Sequence, residues 1–230
     1  MIKNLSYQCT IIIISIITNI SCQRKQTDNI QYKGILTYKI NYLQTNINST
    51  ISKKLLPQKM VLEFDNNYSV ITLEGFIGFF KLVNIINFKT KRCTTILEIL
   101  GKKYLSFGEK NSKICCFDAM KNMRIIKTGE KTILHGLNAT KAIIQLPDEI
   151  FEVYYTTDIG ITNPNFNNDY KDIDGVLLDF RLKMEGTYMH LKVDKFEIIN
   201  LKEPINIKLP DRYTVITRKQ MNEIMKKLLN

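Results

Sequence analysis

From residue 30 onward, apolar and polar side chains alternate with a period of two. Ile30, Tyr32, Leu36, Tyr38, Ile40 and Tyr42 oppose Gln31, Lys33, Thr37, Lys39 and Asn41, with Gly34 on the apolar face. Met60, Leu62 and Phe64 alternate with Lys59 and Glu63. Val176, Leu178, Phe180, Leu182 and Met184 alternate with Asp179, Arg181, Lys183 and Glu185, and Met189, Leu191 and Val193 with His190, Lys192 and Asp194. This period predicts strands with one buried face. Breaks at Asn66-Asn67, Lys89–Arg92, Gly101, Gly108–Asn111, Gly129, Gly136, Pro147-Asp148, Gly186 and Pro204 predict hairpin connections. Asn163–Asp174 reads as a long loop. Near the C-terminus the period changes. Thr217 and Gln220 form a capping box, and Met221, Ile224, Met225, Leu228 and Leu229 make a helical stripe.

The first residues follow a different logic. Lys3 precedes an apolar run from about Thr10 to Thr18, which is too short for the ~20 residues a membrane span needs. It reads as an export signal. Ile20-Ser21-Cys22 at its end resembles the close of a bacterial lipoprotein signal, in which Cys22 becomes lipidated; Asn19 departs from that pattern. The expected organisation is a signal over 1–21, a polar tether over 22–29 and one β domain over 30–230. Gln23 after the Cys resembles lipoproteins sorted to the outer membrane.

Composition adds little to this picture. Among 230 residues, 33 basic and 22 acidic side chains give a net charge of +11, and 27 of the basic residues are Lys. Nucleic-acid surfaces lean on Arg for bidentate contacts, so this Lys excess argues against a nucleic-acid partner. An AT-rich coding bias explains the abundance of Lys, Ile and Asn; attraction to an anionic envelope surface is the alternative. Lys89, Lys91, Arg92, Lys102 and Lys103 lie at neighbouring turns and are candidates for one basic rim. The plainer reading is a solvated face.

Candidate chemistry is sparse. His135 and His190 stand alone, and no H-E-x-x-H, C-x-x-C, G-x-S-x-G, Walker A or dinucleotide fingerprint occurs. Asp169, Asp172 and Asp174-Gly175 hint at a calcium loop, but Tyr170 and Arg181 occupy ligand places. No metal or cofactor is expected. Cys93, Cys115 and Cys116 remain after removal of the signal and lipidation of Cys22. They permit one bridge from Cys93 or three buried thiols. Read as strand neighbours, Cys115 and Cys116 point to opposite faces. A Cys-dependent hydrolase is the remote alternative to a protein without catalytic activity.

Four stretches resemble a family of uncharacterised Gram-negative envelope proteins distantly similar to the lipoprotein carriers LolA and LolB. They are Ile99-Leu100-Gly101-Lys102-Lys103-Tyr104, Lys127–Ile133 with Gly136, Glu152–Ile159, and Leu209-Pro210-Asp211-Arg212-Tyr213. Gly136-Leu137-Asn138-Ala139 departs from the family's G-Y-x-C, so a disulfide through that Cys cannot form. The resemblance implies a mainly β fold. It is a single curved antiparallel sheet, an open or half barrel, with a C-terminal helix and helical cover over the concave apolar face. It also implies a lipid or lipoprotein ligand in that concavity. The candidate lining is Leu178, Phe180, Leu182, Met184, Met189, Leu191 and Val193, with Met221 and Met225 from the helix. The alternative is a structural or accessory subunit of an envelope complex.

Overall fold

A computed structural model describes residues 32–44, 56–78, 80–200, 205, 207, 209 and 211–229. The expected signal, Cys22, the tether and the turn at Pro204 lie outside the described residues, as does Pro210. The described residues belong to one compact unit.

The unit is mainly β, a single open sheet with a C-terminal helix. The strands are β1 (Tyr32–Gln44), β2 (Lys59–Phe64), β3 (Tyr68–Glu74), β4 (Phe80–Asn87), β5 (Arg92–Ile99) and β6 (Lys102–Phe107). They continue with β7 (Arg124–Leu134), β8 (Leu137–Gln145), β9 (Ile150–Thr156), β10 (Val176–Met184), β11 (Thr187–Asn200) and β12 (Thr214–Val215). Helix α1 spans Arg218–Leu229. Across the sheet the order is β12-β6-β5-β4-β3-β2-β1-β11-β10-β9-β8-β7. All pairs are antiparallel except β12 with β6.

Two meanders, β1 to β6 and β7 to β11, are therefore joined by the pairing of β1 with β11. That pairing runs from Tyr32 opposite Asn200 to Gln44 opposite Tyr188. Gly34 sits within it because Phe64 on β2 lays its ring over the position. A Cβ there would fall 1.9 Å from Phe64 Cζ. The expected turns at Asn66-Asn67, Gly101, Gly136 and Gly186 all fall between strands. Leu100 and Gly101 both take positive φ, 46° and 80°, as a tight two-residue hairpin turn requires. Gly129 differs: it lies inside β7, where the register shifts between Lys127 and Lys131, and its φ of 76° accommodates a bulge.

The order of strands places β6 and β7 near opposite edges, and residues 108–123 connect them. Ten strand steps on a flat sheet amount to about 48 Å. Sixteen residues reach that only when almost fully extended. This connection instead carries turns, with left-handed φ at Asn111, Cys116 and Asn122. The sheet must curl, and the crossover lies on its inner face. Asp118 N–H donates to Lys183 O on β10 at 2.8 Å, and Ile114 N–H to Asn167 O in the β9–β10 loop at 2.8 Å.

One large core fills the concavity. Tyr38, Phe180 and Tyr170 meet edge to face, at 5.5 and 5.9 Å between ring centroids. Their hydroxyls donate to backbone carbonyls, Tyr38 to Leu177 at 2.8 Å and Tyr170 to Arg181 at 2.6 Å. The outer face has its own cluster of Ile85, Ile96 and Leu105, against which Ile207 packs. The cover of the inner face is only partly helical. Most of it is the irregular crossover and the 157–175 loop, because both must satisfy asparagine and backbone groups as they pass over strands. Helix α1 supplies the rest through Met221, Met225 and Leu229. Its capping box forms, with Thr217 N–H donating to Gln220 Oε1 at 2.8 Å and Gln220 N–H to Thr217 Oγ1 at 3.2 Å.

The loop over the inner face requires close backbone approach at Gly175. A Cβ at this position would stand 2.5 Å from Thr156 O and 2.7 Å from Tyr155 Cδ2. Gly175→Ala is expected to lower stability by about 1–3 kcal/mol through overpacking, read as a lower urea midpoint with an unchanged m-value.

Candidate functional site

Where the sheet curls, its apolar positions converge. Leu178, Phe180, Met184, Met189, Leu191 and Val193 are buried, as are Met221 and Met225 of α1. Leu182 is half-buried and packs on the same core. Of these nine candidates only Phe180 and Leu182 wall a cavity; the other seven pack the interior. The cavity is about 80 Å³. Its sheet side includes Tyr38, Met60, Leu62 and Ile71 from β1 to β3, beside Phe180 and Leu182 from β10. Its other side is the crossover, with Lys113, Ile114 and Phe117, and the loop, with Asn165 and Asn167.

Size decides what this space can hold. An apolar cavity of roughly 150 Å³ takes one benzene, and drug-sized ligands occupy about 300–1,000 Å³. A complete acyl chain does not fit here. The end of a chain, a small organic group or a few waters would fit.

The polar wall is uneven. Asn165 Nδ2 donates to Ile173 O at 2.9 Å and Gly175 O at 2.8 Å. Asn168 Oδ1 accepts from Tyr170 N–H at 2.8 Å. These bonds bend the loop so that Tyr170 and Ile173 bury completely. Asn167 lies between them at 1 % exposure, and neither Nδ2 nor Oδ1 has a hydrogen-bond partner among the described residues. A buried amide left unpaired costs about 1–3 kcal/mol. An amide on this cavity wall presents one donor and one acceptor edge. The stretch Asn163–Asp174 marked a loop in the sequence, but alternation carries no information about which loop side chain turns inward.

The basic candidates divide. Lys89, Lys91 and Arg92 belong to the β4–β5 turn and the start of β5, whereas Lys102 and Lys103 follow the β5–β6 turn. Successive hairpin turns lie at opposite ends of a strand, here about 25 Å apart for eight residues. The five do not make one rim. Lys91 Nζ instead stands 4.5 Å over the Phe166 ring, on the loop that carries Asn167. Lys113, unremarked in the sequence, lines the cavity and pairs with Asp169, whose other oxygen accepts from Met120 N–H at 2.8 Å.

The remaining candidates are placed as follows. Asp174 pairs with Lys127 at 2.9 Å, and no group of three or more potential metal ligands occurs among the described residues. His190 Nε2 meets Asp179 Oδ1 at 2.5 Å, and His135 sits in the β7–β8 turn. Cys93, Cys115 and Cys116 are free buried thiols. The pair is not on a strand, contrary to expectation: Cys116 takes a φ of 70° in a turn of the crossover. Both sulfurs consequently lie on one side, 3.2 Å apart, beside Asn222 of α1. No helix among the described residues is long and apolar enough to cross a membrane.

No protein-family model and no curated protein matches the chain. Among solved structures, PNGF-II is similar in two crystal forms. The C2 form matches with a TM-score of 0.50 at 13 % identity, and the P21 form with 0.54 at 15 %. Each match covers 85 % of this chain and 33 % of PNGF-II, so the chain spans about a third of that protein's length. At such identity the likeness shows the fold alone.

Asn167 makes the site testable by stability. Asn167→Leu keeps the branching and heavy-atom count of the side chain, its extra volume can extend into the cavity, and it removes two unpaired polar atoms, so the ligand-free protein is expected to gain about 1–3 kcal/mol. Thermal denaturation measures this, and a loss of stability would show that the amide is satisfied.

Proposed function

We propose that this chain is an exported protein anchored by lipid at Cys22, sited in the outer membrane and facing the periplasm, that binds one end of a small amphipathic molecule within its curled sheet. One observation carries the reading: a buried amide with no partner among the described residues borders an otherwise mainly apolar cavity. A ligand with a carboxylic acid, amide or hydroxyl head can complete Asn167 while its hydrocarbon end rests against Met60, Leu62 and Phe180. The role is read as binding: the polar wall consists of the asparagine amides, the Ser69 hydroxyl, Asp118 and the Lys113–Asp169 pair, with no histidine or cysteine among the residues that line the cavity.

Hexanoate and hexanamide serve as probes. Each is expected to raise the melting temperature of the wild type in a concentration-dependent way, by mass action on the native state. The rise should disappear in Asn167→Leu. Native mass spectrometry of protein extracted from membranes should show a retained small molecule. No adduct and no shift with either probe would overturn the binding reading. Anchoring has a separate readout, since radiolabelled palmitate should enter the wild type and not Cys22→Ala.

An interaction subunit is the second reading, favoured by the edge strand β7. It is eleven residues long, pairs only with β8, and exposes Ile126 and Ile133. Such an edge can accept another strand, although its bulge and lysines blunt it. Crosslinking from position 133 in cells to one stoichiometric protein, without any retained small molecule, would select this reading.

A further inference from the structure

The crossover holds a second chemical feature, separate from the cavity. Cys115 and Cys116 are 4 % and 3 % exposed, with sulfurs 3.2 Å apart. Asn222 Oδ1 accepts from Cys115 Sγ–H and from Cys116 N–H, each at 3.2 Å. One turn earlier on α1, Arg218 donates to Ile114 O at 2.9 Å and also holds Lys113 O. The helix is thus fastened to the pair by the residues that flank it. Above lies an open bowl bordered by Glu185, Arg218, Lys219, Asn222, Glu223 and Lys226. Asn222 both borders the bowl and meets the Cys115 sulfur.

The backbone is unusual at the same place. Cys116 has a left-handed φ, a conformation that costs a non-glycine residue about 1–2 kcal/mol. Strain of this kind in a turn bearing two adjacent sulfurs is an observation from which function can be argued. Cys93 is turned elsewhere, with Asn84 Oδ1 and Thr95 as its neighbours.

We propose that Cys115 and Cys116 form a redox site, a dithiol that closes to a vicinal disulfide by exchange with a disulfide oxidant and loosens α1 as it does so. Cys115 sulfur attacks one sulfur of the oxidant, forming a mixed disulfide, and its proton passes to the thiolate that is expelled. Cys116 sulfur then attacks Cys115 sulfur, and its proton passes to the second departing thiolate. The pair loses two electrons and two protons, and the oxidant leaves as two thiols. The thiols are suited to these separate roles. The Cys116 hydrogen bond, aided by Arg218, lowers the Cys115 pKa, while the Cys115 partner and burial push Cys116 well up. Adjacent Cα atoms are about 3.8 Å apart, below the usual disulfide range of roughly 4.4–6.8 Å. The closed form is therefore strained and readily reduced, a switch rather than a staple. Closure also removes the S–H that Asn222 accepts.

The experiment uses the full chain under native conditions with oxidised glutathione, followed by denaturation, N-ethylmaleimide and trypsin. Both cysteines fall in the peptide Ile114–Lys121. The expected product is that peptide lighter by two hydrogens and carrying no maleimide, restored by dithiothreitol and unchanged in Cys93→Ser. In Cys115→Ser or Cys116→Ser the remaining sulfur should take glutathione or maleimide and never form the internal bond. Full alkylation of both sulfurs in the oxidised wild type, or a bridge to Cys93, would overturn the site. Amide exchange in residues 218–229 reads the coupling. A rise on the order of fivefold on oxidation corresponds to one lost hydrogen bond, and equal exchange in both forms would overturn the effect on the helix.

Discussion

The pairing of β1 with β11 determines the rest of the molecule. Without it the chain would be two separate meanders, each with two exposed edges. With it the edges that remain are β7 and the two-residue β12, and β6 lies one strand from the edge opposite β7. The chain has already completed β6 when it must begin β7, so residues 108–123 have to cross the whole sheet. Crossing over the inner face, they curl the sheet and bring loop side chains into contact with strands that are not neighbours. On the other face Ile207, which lies between β11 and β12 in sequence, packs on Ile85, Ile96 and Leu105. One strand pairing thus produces both a filled concavity and a covered convex surface.

Burying irregular chain has a consequence that burying strands does not. A strand satisfies its backbone through the ladder, whereas a loop must find partners for each polar group. The 157–175 loop does so with asparagines and tyrosine, and Tyr170 and Asn165 succeed within the protein. Asn167 does not, and neither do Asn84 Nδ2 and Thr187 Oγ1. The Asn84 amide keeps its oxygen bonded to Thr95 at 2.7 Å, so it is half satisfied within the sheet. Asn167 is the one whose whole amide borders open volume. This difference, not burial alone, separates a site from an imperfection of packing.

Strands were readable where one face stays more open than the other, so a period of two survives along Gly34–Tyr42 and Leu178–Met184, whereas Val176, Leu177 and Leu178 are buried in succession. The helix was readable from Thr217, Gln220 and its apolar stripe for the same local reason. Crossing chains leave no such trace. Cys115 and Cys116 looked like strand neighbours on opposite faces, and only the left-handed turn at Cys116 brings their sulfurs together. Asn167 is one asparagine among several, and its inward turn depends on Asn165 and Asn168 bending the loop beside it. The basic residues looked contiguous because turns at opposite strand ends are close in sequence yet a strand length apart. Five of the nine candidate lining side chains came from β10 and β11 positions that alternate cleanly and pack as core without touching the cavity. Alternation reports burial, and burial does not distinguish a lining from a filling.

The cavity and the thiol pair share the crossover, and this gives a physical route between them. Lys113 and Ile114 line the cavity, Cys115 and Cys116 follow directly, and Phe117 and Asp118 line it again. Arg218 holds the carbonyls of Lys113 and Ile114, so α1 braces the same two residues that wall the cavity. The helix itself is held by three buried apolar residues and these few polar bonds. Elements with so few attachments open more readily than a twelve-stranded sheet. A change that releases Asn222 therefore acts on an element outside the sheet's ladder and, through Arg218, on the wall of the cavity. The sheet, by contrast, is fixed along every strand by its ladder. The cavity wall and the thiol pair both depend on sixteen residues whose path was imposed by strand order, which is why both features lie in that segment and its cover.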